Sequence, residues 1–68
     1  MSKNAADHHK KASEHFTDAA RHYEEAAKYG EAGNHERMAH HAAIARAHDL
    51  HGTEHAHAAR KAYAEDHG

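Results

Sequence analysis

Sixty-eight residues carry nine basic and eleven acidic side chains, twelve histidines, no cysteine and no proline. A chain this short makes at most one small domain, and it buries little surface without a disulfide, a metal or a partner. The missing cysteine excludes disulfides and thiolate metal sites, and a net charge of −2 with neutral histidines argues against nucleic acid and membrane as partners.

The chain opens on MSKNAADHHKK, which has no apolar core, so no signal peptide and a cytoplasmic location are expected. No later apolar run is long enough for a membrane span. Alanine, glutamate, lysine and arginine without proline favour helix throughout. A first helix is predicted over about 5–29, with Asn4 as its N-cap and Asp7 in its first turn to satisfy free amides. This arm is built on a seven-residue unit. Ala5, Ala12, Ala19 and Ala26 open successive units; His8, His15 and His22 stand three further on, with Tyr29 in the last; His9, Phe16 and Tyr23 follow. Seven-residue spacing keeps side chains on one seam of a slightly supercoiled helix.

The break is YGEAGN, Tyr29 to Asn34. Gly30 suits the left-handed residue that ends a helix, and Asn34 suits the N-cap of the next. A second helix is predicted over about 35–66, and the short link folds the arms into an antiparallel hairpin. Met38, Ala45, Gly52 and Ala59 repeat the small stripe, with His41, His48 and His55 again three further on. Gly52 thus occupies a slot that wants a small residue, so the helix is expected to run through it at a cost of about 1 kcal/mol. The numbers of His8 and His55, His15 and His48, and His22 and His41 each sum to 63; those of the small pairs sum to 64. Folding at a turn near residue 32 brings such positions level, which predicts three rungs of facing histidines.

The expected fold is all-α, an antiparallel helical hairpin dimerising into a four-helix bundle. Only Phe16, Tyr23, Tyr29, Met38, Ile44, Leu50 and Tyr63 add bulk to an alanine seam, and two helices cannot enclose them. A homodimer is therefore expected, with Phe16, Tyr23 and Ile44 as its contacts.

Protonating every histidine takes the formal charge from −2 to +10. Three functions use such a set. The first is transition-metal binding for storage, buffering or resistance, through His8, His15, His22, His41, His48 and His55. Neutral imidazole suits copper, zinc, nickel and cobalt, and the affinity series favours copper. Residues seven apart rise about 10.5 Å, so one line of histidines cannot share an ion while facing lines can. One hairpin offers two ligands per rung and a dimer up to four, with Asp18 and Glu25 placed to orient rings. The second is b-type haem held by two facing histidines, non-covalent because CxxCH is absent. The third is a ligand-free dimer opened by acid. Burying polar rings with no function at all still requires a partner for each. His9, His35, His40, His57 and His67 read as surface residues, and His51 falls on the same helical face as His55.

Catalysis is not expected. The acids Glu14, Asp18, Glu24 and Glu25 fall off the alanine–histidine seam, Glu54 and His57 make a single ExxH, and Ser13, Glu14 and His15 are helix neighbours that point apart. The stretch AARHYEEAAKYGEAGNHERMAHHAAIARAHDLHG, residues 19–52, resembles a type of small bacterial protein rich in histidine and alanine. That resemblance implies a two-helix fold and no particular activity.

Overall fold

The computed structural model of the chain describes residues 3–67 as two α-helices, α1 (Lys3–Glu31) and α2 (His35–His67), packed side by side. The Cα trace spans 52 × 12 × 10 Å, a rod one hairpin long. Among the described residues, no helix is long and apolar enough to cross a membrane.

Both helices outrun their predicted ends. α1 already includes Lys3, so Asn4 lies inside its first turn and does not cap it. Its far end passes through Gly30 to Glu31, and the left-handed residue is Gly33, at φ +80°. The Asn34 amide donates to the Tyr29 carbonyl at 2.8 Å and the Gly33 amide to the Gly30 carbonyl at 3.1 Å, the paired bonds of a Schellman ending. Asn34 then starts α2 as expected: its Oδ1 accepts the Arg37 amide at 3.1 Å and its carbonyl accepts the Met38 amide. Gly30 is small for another reason. A Cβ there would stand 2.8 Å from Met38 Sδ, so glycine leaves room for the Met38 side chain beside the turn.

The core is a line of small residues. Ala5, Ala12, Ala19 and Ala26 from α1 and Ala45, Gly52 and Ala59 from α2 are buried, as the repeat requires, and α2 runs unbroken through Gly52. Ala62 is buried as well; it stands seven after His55 and closes the histidine line of α2. Among the described residues, no large side chain is fully buried.

That line divides the rod into two flanks. At about 100° per residue, a side chain three after an alanine lies about 60° to one side of it, and one four after lies about 40° to the other. The histidines therefore share one flank of the seam, and His9, Phe16 and Tyr23 share the opposite one. Ile44, one residue before Ala45, belongs to the histidine flank. The expected dimer patch of Phe16, Tyr23 and Ile44 is thus split between two faces.

Candidate functional site

Three pairs of imidazoles cross the histidine flank. His8 Nδ1 is 3.0 Å from His55 Nδ1, His15 Nδ1 is 3.0 Å from His48 Nδ1, and His22 Nδ1 is 3.1 Å from His41 Nδ1. All six rings are half-buried, at the edge of the alanine seam. The structure therefore brings together all six histidines singled out from the repeat, in the predicted pairs. The reason is steric. Alanine and glycine in the seam let the helices approach closely, and side chains three residues on meet at equal heights.

A nitrogen–nitrogen hydrogen bond constrains the rings. One imidazole presents Nδ1–H and its partner an Nδ1 lone pair, so the two rings of each neutral rung are opposite tautomers. One proton lies between them, a second sits on the acceptor ring's Nε2, and the donor ring's Nε2 keeps a lone pair.

Stacking joins the rungs into a ladder. His15 stacks on His55 with centroids 5.7 Å apart and planes at 8°, and His22 stacks on His48 at 5.8 Å and 11°. Tyr29 stacks on His41 at 5.4 Å and 11°, closing the ladder at the turn. Such distances are those of favourable aromatic pairs. Tyr29 holds this place with help from α2: the Arg37 guanidinium lies 5.6 Å over its ring, and Arg37 donates to its hydroxyl at 3.4 Å. At the other end Ala62 leaves an open groove of about 210 Å³ beside His8, between Asn4, Lys61 and Glu65.

Two further histidines join the ladder. His51 lies 5.4 Å from the His15 ring, and His40 meets His41 edge-on at 5.6 Å. The i, i+4 relation to His55 marked His51's face in the sequence; His40, read there as a bare surface residue, follows no heptad line. Asp18 and Glu25 do not orient rungs as expected. Asp18 lies 3.6 Å from Arg21 and Glu25 3.5 Å from Lys28, each paired with the cation three residues on. Glu54, half of the single ExxH, is exposed and 3.9 Å from His51; His57 and Ser13 are exposed too.

The surroundings of His22 and His55 favour the neutral ring. Partial burial, then the charges of Arg21, His41 and His48, lowers the pKa of His22, against a smaller opposing pull from Asp18. Partial burial, then His8, Lys11 and His15, lowers that of His55, opposed by Glu54. A neutral imidazole is the form that ligates metal.

Each rung offers two nitrogens to one ion. Among the described residues, no group of three or more His, Cys, Asp or Glu side chains is placed to hold a metal. No family model matches the chain, and no curated protein or solved structure is significantly similar to it.

Proposed function

We propose that the hairpin is a transition-metal-binding protein, copper foremost, that takes one ion at each histidine rung and serves in buffering, storage or resistance. The observation that carries this reading is the set of Nδ1 pairs, 3.0 to 3.1 Å apart. Two nitrogens each bonded to one ion at about 2.0–2.1 Å stand about 2.9 Å apart at a right angle and about 3.3 Å apart at a tetrahedral one. The rungs lie close to the right-angled value. An ion can replace the shared proton once the donor ring moves that proton to Nε2, with little movement of either helix. Right-angled nitrogen donors suit tetragonal Cu(II) or Ni(II), and the affinity order places copper first. Zinc asks each rung to open by a few tenths of an ångström.

The hairpin acts in this reading as a homodimer, a four-helix bundle, because its own core is a line of small residues that leaves Phe16, Tyr23, Leu50 and Tyr63 exposed. Haem draws less support. Iron bound on opposite sides by two imidazoles separates their nitrogens by about 4 Å and inserts a macrocycle between them, which the alanine seam on the same rungs opposes.

The test is native mass spectrometry of the untagged chain with Cu(II), paired with electron paramagnetic resonance. Up to three ions per chain are expected, each with hyperfine splitting from two imidazole nitrogens, and His15→Gln with His48→Gln should remove one. Chain that holds no copper at micromolar free ion, or that binds equally well with all six histidines replaced by glutamine, refutes the reading.

One observation favours a second reading, the ligand-free acid sensor. A neutral rung accepts one proton at the free Nε2 and keeps its N–H···N bond; a second must take the acceptor's Nδ1 lone pair and breaks it. Opening between about pH 7 and 5 that is indifferent to chelator separates this reading from the metal.

A further inference from the structure

We infer that a second copy of this chain docks on the flank opposite the histidines, across Phe16, Tyr23, Leu50 and Tyr63, and leaves the histidine ladder facing water. This deepens the homodimer in the reading above and rests on it; it gives the dimer a face and assigns the ladder's outer side to solvent.

The first argument is area. The chain exposes 4960 Å² at 7.5 kDa, whereas a compact monomer of that mass exposes about 4,200 Å². The excess, about 700 Å², is close to the roughly 800 Å² that each partner contributes to a stable interface of standard size. A dimer through one long face of the rod returns the chain to the surface expected for its mass.

The second argument is which face can supply that area. Phe16 is 42% exposed, Tyr23 45%, Tyr63 54% and Leu50 55%. Phe16, Tyr23 and Tyr63 flank the same side of the seam, where the Tyr23 hydroxyl reaches Asp49 at 2.9 Å; Leu50, five residues after Ala45, lies about 140° round from the seam, at the outer margin of that side. Between these large groups the stripe is small: Ala20, Ala27, Ala42 and Ala56. Its central carboxylate already has a partner in Tyr23, and Arg46 is close enough to act on the same phenol. Bulky side chains alternating with alanines are what two copies need to interdigitate across a two-fold axis.

The histidine flank is built differently at its margins. Lys11, Asp18, Glu25, His51 and Glu65 line it, and its bulky apolar group is Ile44, already half-buried within the hairpin. Covering it would strip water from Lys11 and Glu65 and from the ion pairs of Asp18 with Arg21 and Glu25 with Lys28, which costs more than the apolar area returns. The partner therefore adds no ligand to a rung, and the positions of a bound ion beyond two nitrogens fall to water or small solutes. Ions held by two protein ligands and water exchange readily, which suits buffering over long-term storage.

Sedimentation equilibrium on the full chain tests the proposal, with circular dichroism to follow helix content. Wild type should run at twice the 7.5 kDa of the chain. Phe16→Glu and, independently, Leu50→Glu should weaken dimerisation about 100-fold or more while keeping their helices, since each buries a carboxylate at the interface. Ile44→Glu, on the histidine flank, should leave the dimer intact. Leu50→Glu is the safer variant because its side chain touches no seam residue by position; Phe16 rests on Gly52. A wild-type monomer at every concentration overturns the proposal, and so does a dimer that survives Leu50→Glu but dissociates with Ile44→Glu. Copper uptake by monomeric Leu50→Glu separates the two claims: retained copper leaves the metal reading standing whatever the interface, and an intact dimer without copper leaves only the interface.

Discussion

The two flanks of the alanine seam are closed in opposite ways by the same pair of helices. On the histidine flank like meets like: imidazole faces imidazole at equal height, and each ring's polar edge is answered by its partner's. On the other flank large meets small. The Phe16 ring lies over Gly52, where a Cβ would come within 2.7 Å of it, and the Tyr23 hydroxyl reaches Asp49. The first arrangement satisfies polar atoms and leaves little apolar surface for another molecule. The second fills a notch in the neighbouring helix and leaves the outer ring faces bare. One residue of offset from the alanine, three against four, separates a flank that can take ions from a flank that can take a partner.

The widest break removes the seam that both flanks share. Ala45 is fully buried, and Ala45→Leu should force the helices apart, cost about 3 kcal/mol or more, and lose rungs and notch together. Thermal unfolding by circular dichroism checks it, and a variant as stable as wild type would mean that the seam is not close-packed.

Next in size comes a break confined to the histidine flank. His15→Leu leaves His48 Nδ1 without its partner and should cost about 1–2 kcal/mol, because water can only partly replace that bond at a half-buried ring. His15→Leu with His48→Leu together should cost less than the single change, since no polar edge is then left unanswered. Urea titration of the three proteins decides; strict additivity would deny that the two rings are coupled.

Acid attacks the same flank without a mutation. The pKa values of His22 and His55 are lowered in the folded chain, so the unfolded chain takes up protons first, near the ordinary value of about 6.5. Their contribution to stability is therefore complete above pH 6.5 and is lost as pH falls through the lowered folded values. The urea midpoint, measured with chelator present, should drop between pH 7 and 5, and His22→Gln should flatten that slope. A midpoint independent of pH in wild type would count against paired rings.

Much of this was legible in the residues because the repeat is strict. Alanine every seventh position placed the seam, and the constant sums of paired residue numbers placed every rung. The flanks were harder to read. A heptad pattern groups His15 and Phe16 as neighbours of one seam, and only the helical angle sets them on opposite sides of Ala12; the expected patch of Phe16, Tyr23 and Ile44 therefore falls on two sides. The turn misled for a local reason. Gly30 and Gly33 are equally free to adopt positive φ, and nothing in YGEAGN says that one is needed for that freedom and the other for room beside Met38. Asp18 and Glu25 stand at good spacing from the histidines, yet each has a cation three residues on that competes for it.

The smallest effect expected is also the sharpest test of the large-on-small flank. Gly52→Ala gives an internal helical position back about 1 kcal/mol of propensity, so an open site should gain stability. Here the new methyl would stand 2.7 to 2.9 Å from three carbons of the Phe16 ring. The ring must swing toward solvent, which its partial exposure permits, and the lost contact should outweigh the propensity for a net loss of about 1 kcal/mol. In a Phe16→Ala background the obstruction is gone, and the same Gly52→Ala change should stabilise by about 1 kcal/mol. A double-mutant cycle by urea unfolding reads this reversal of sign directly. If Gly52→Ala stabilises both backgrounds equally, Phe16 does not sit in the notch, and the aromatic flank loses the contact that orients its ring for a second chain.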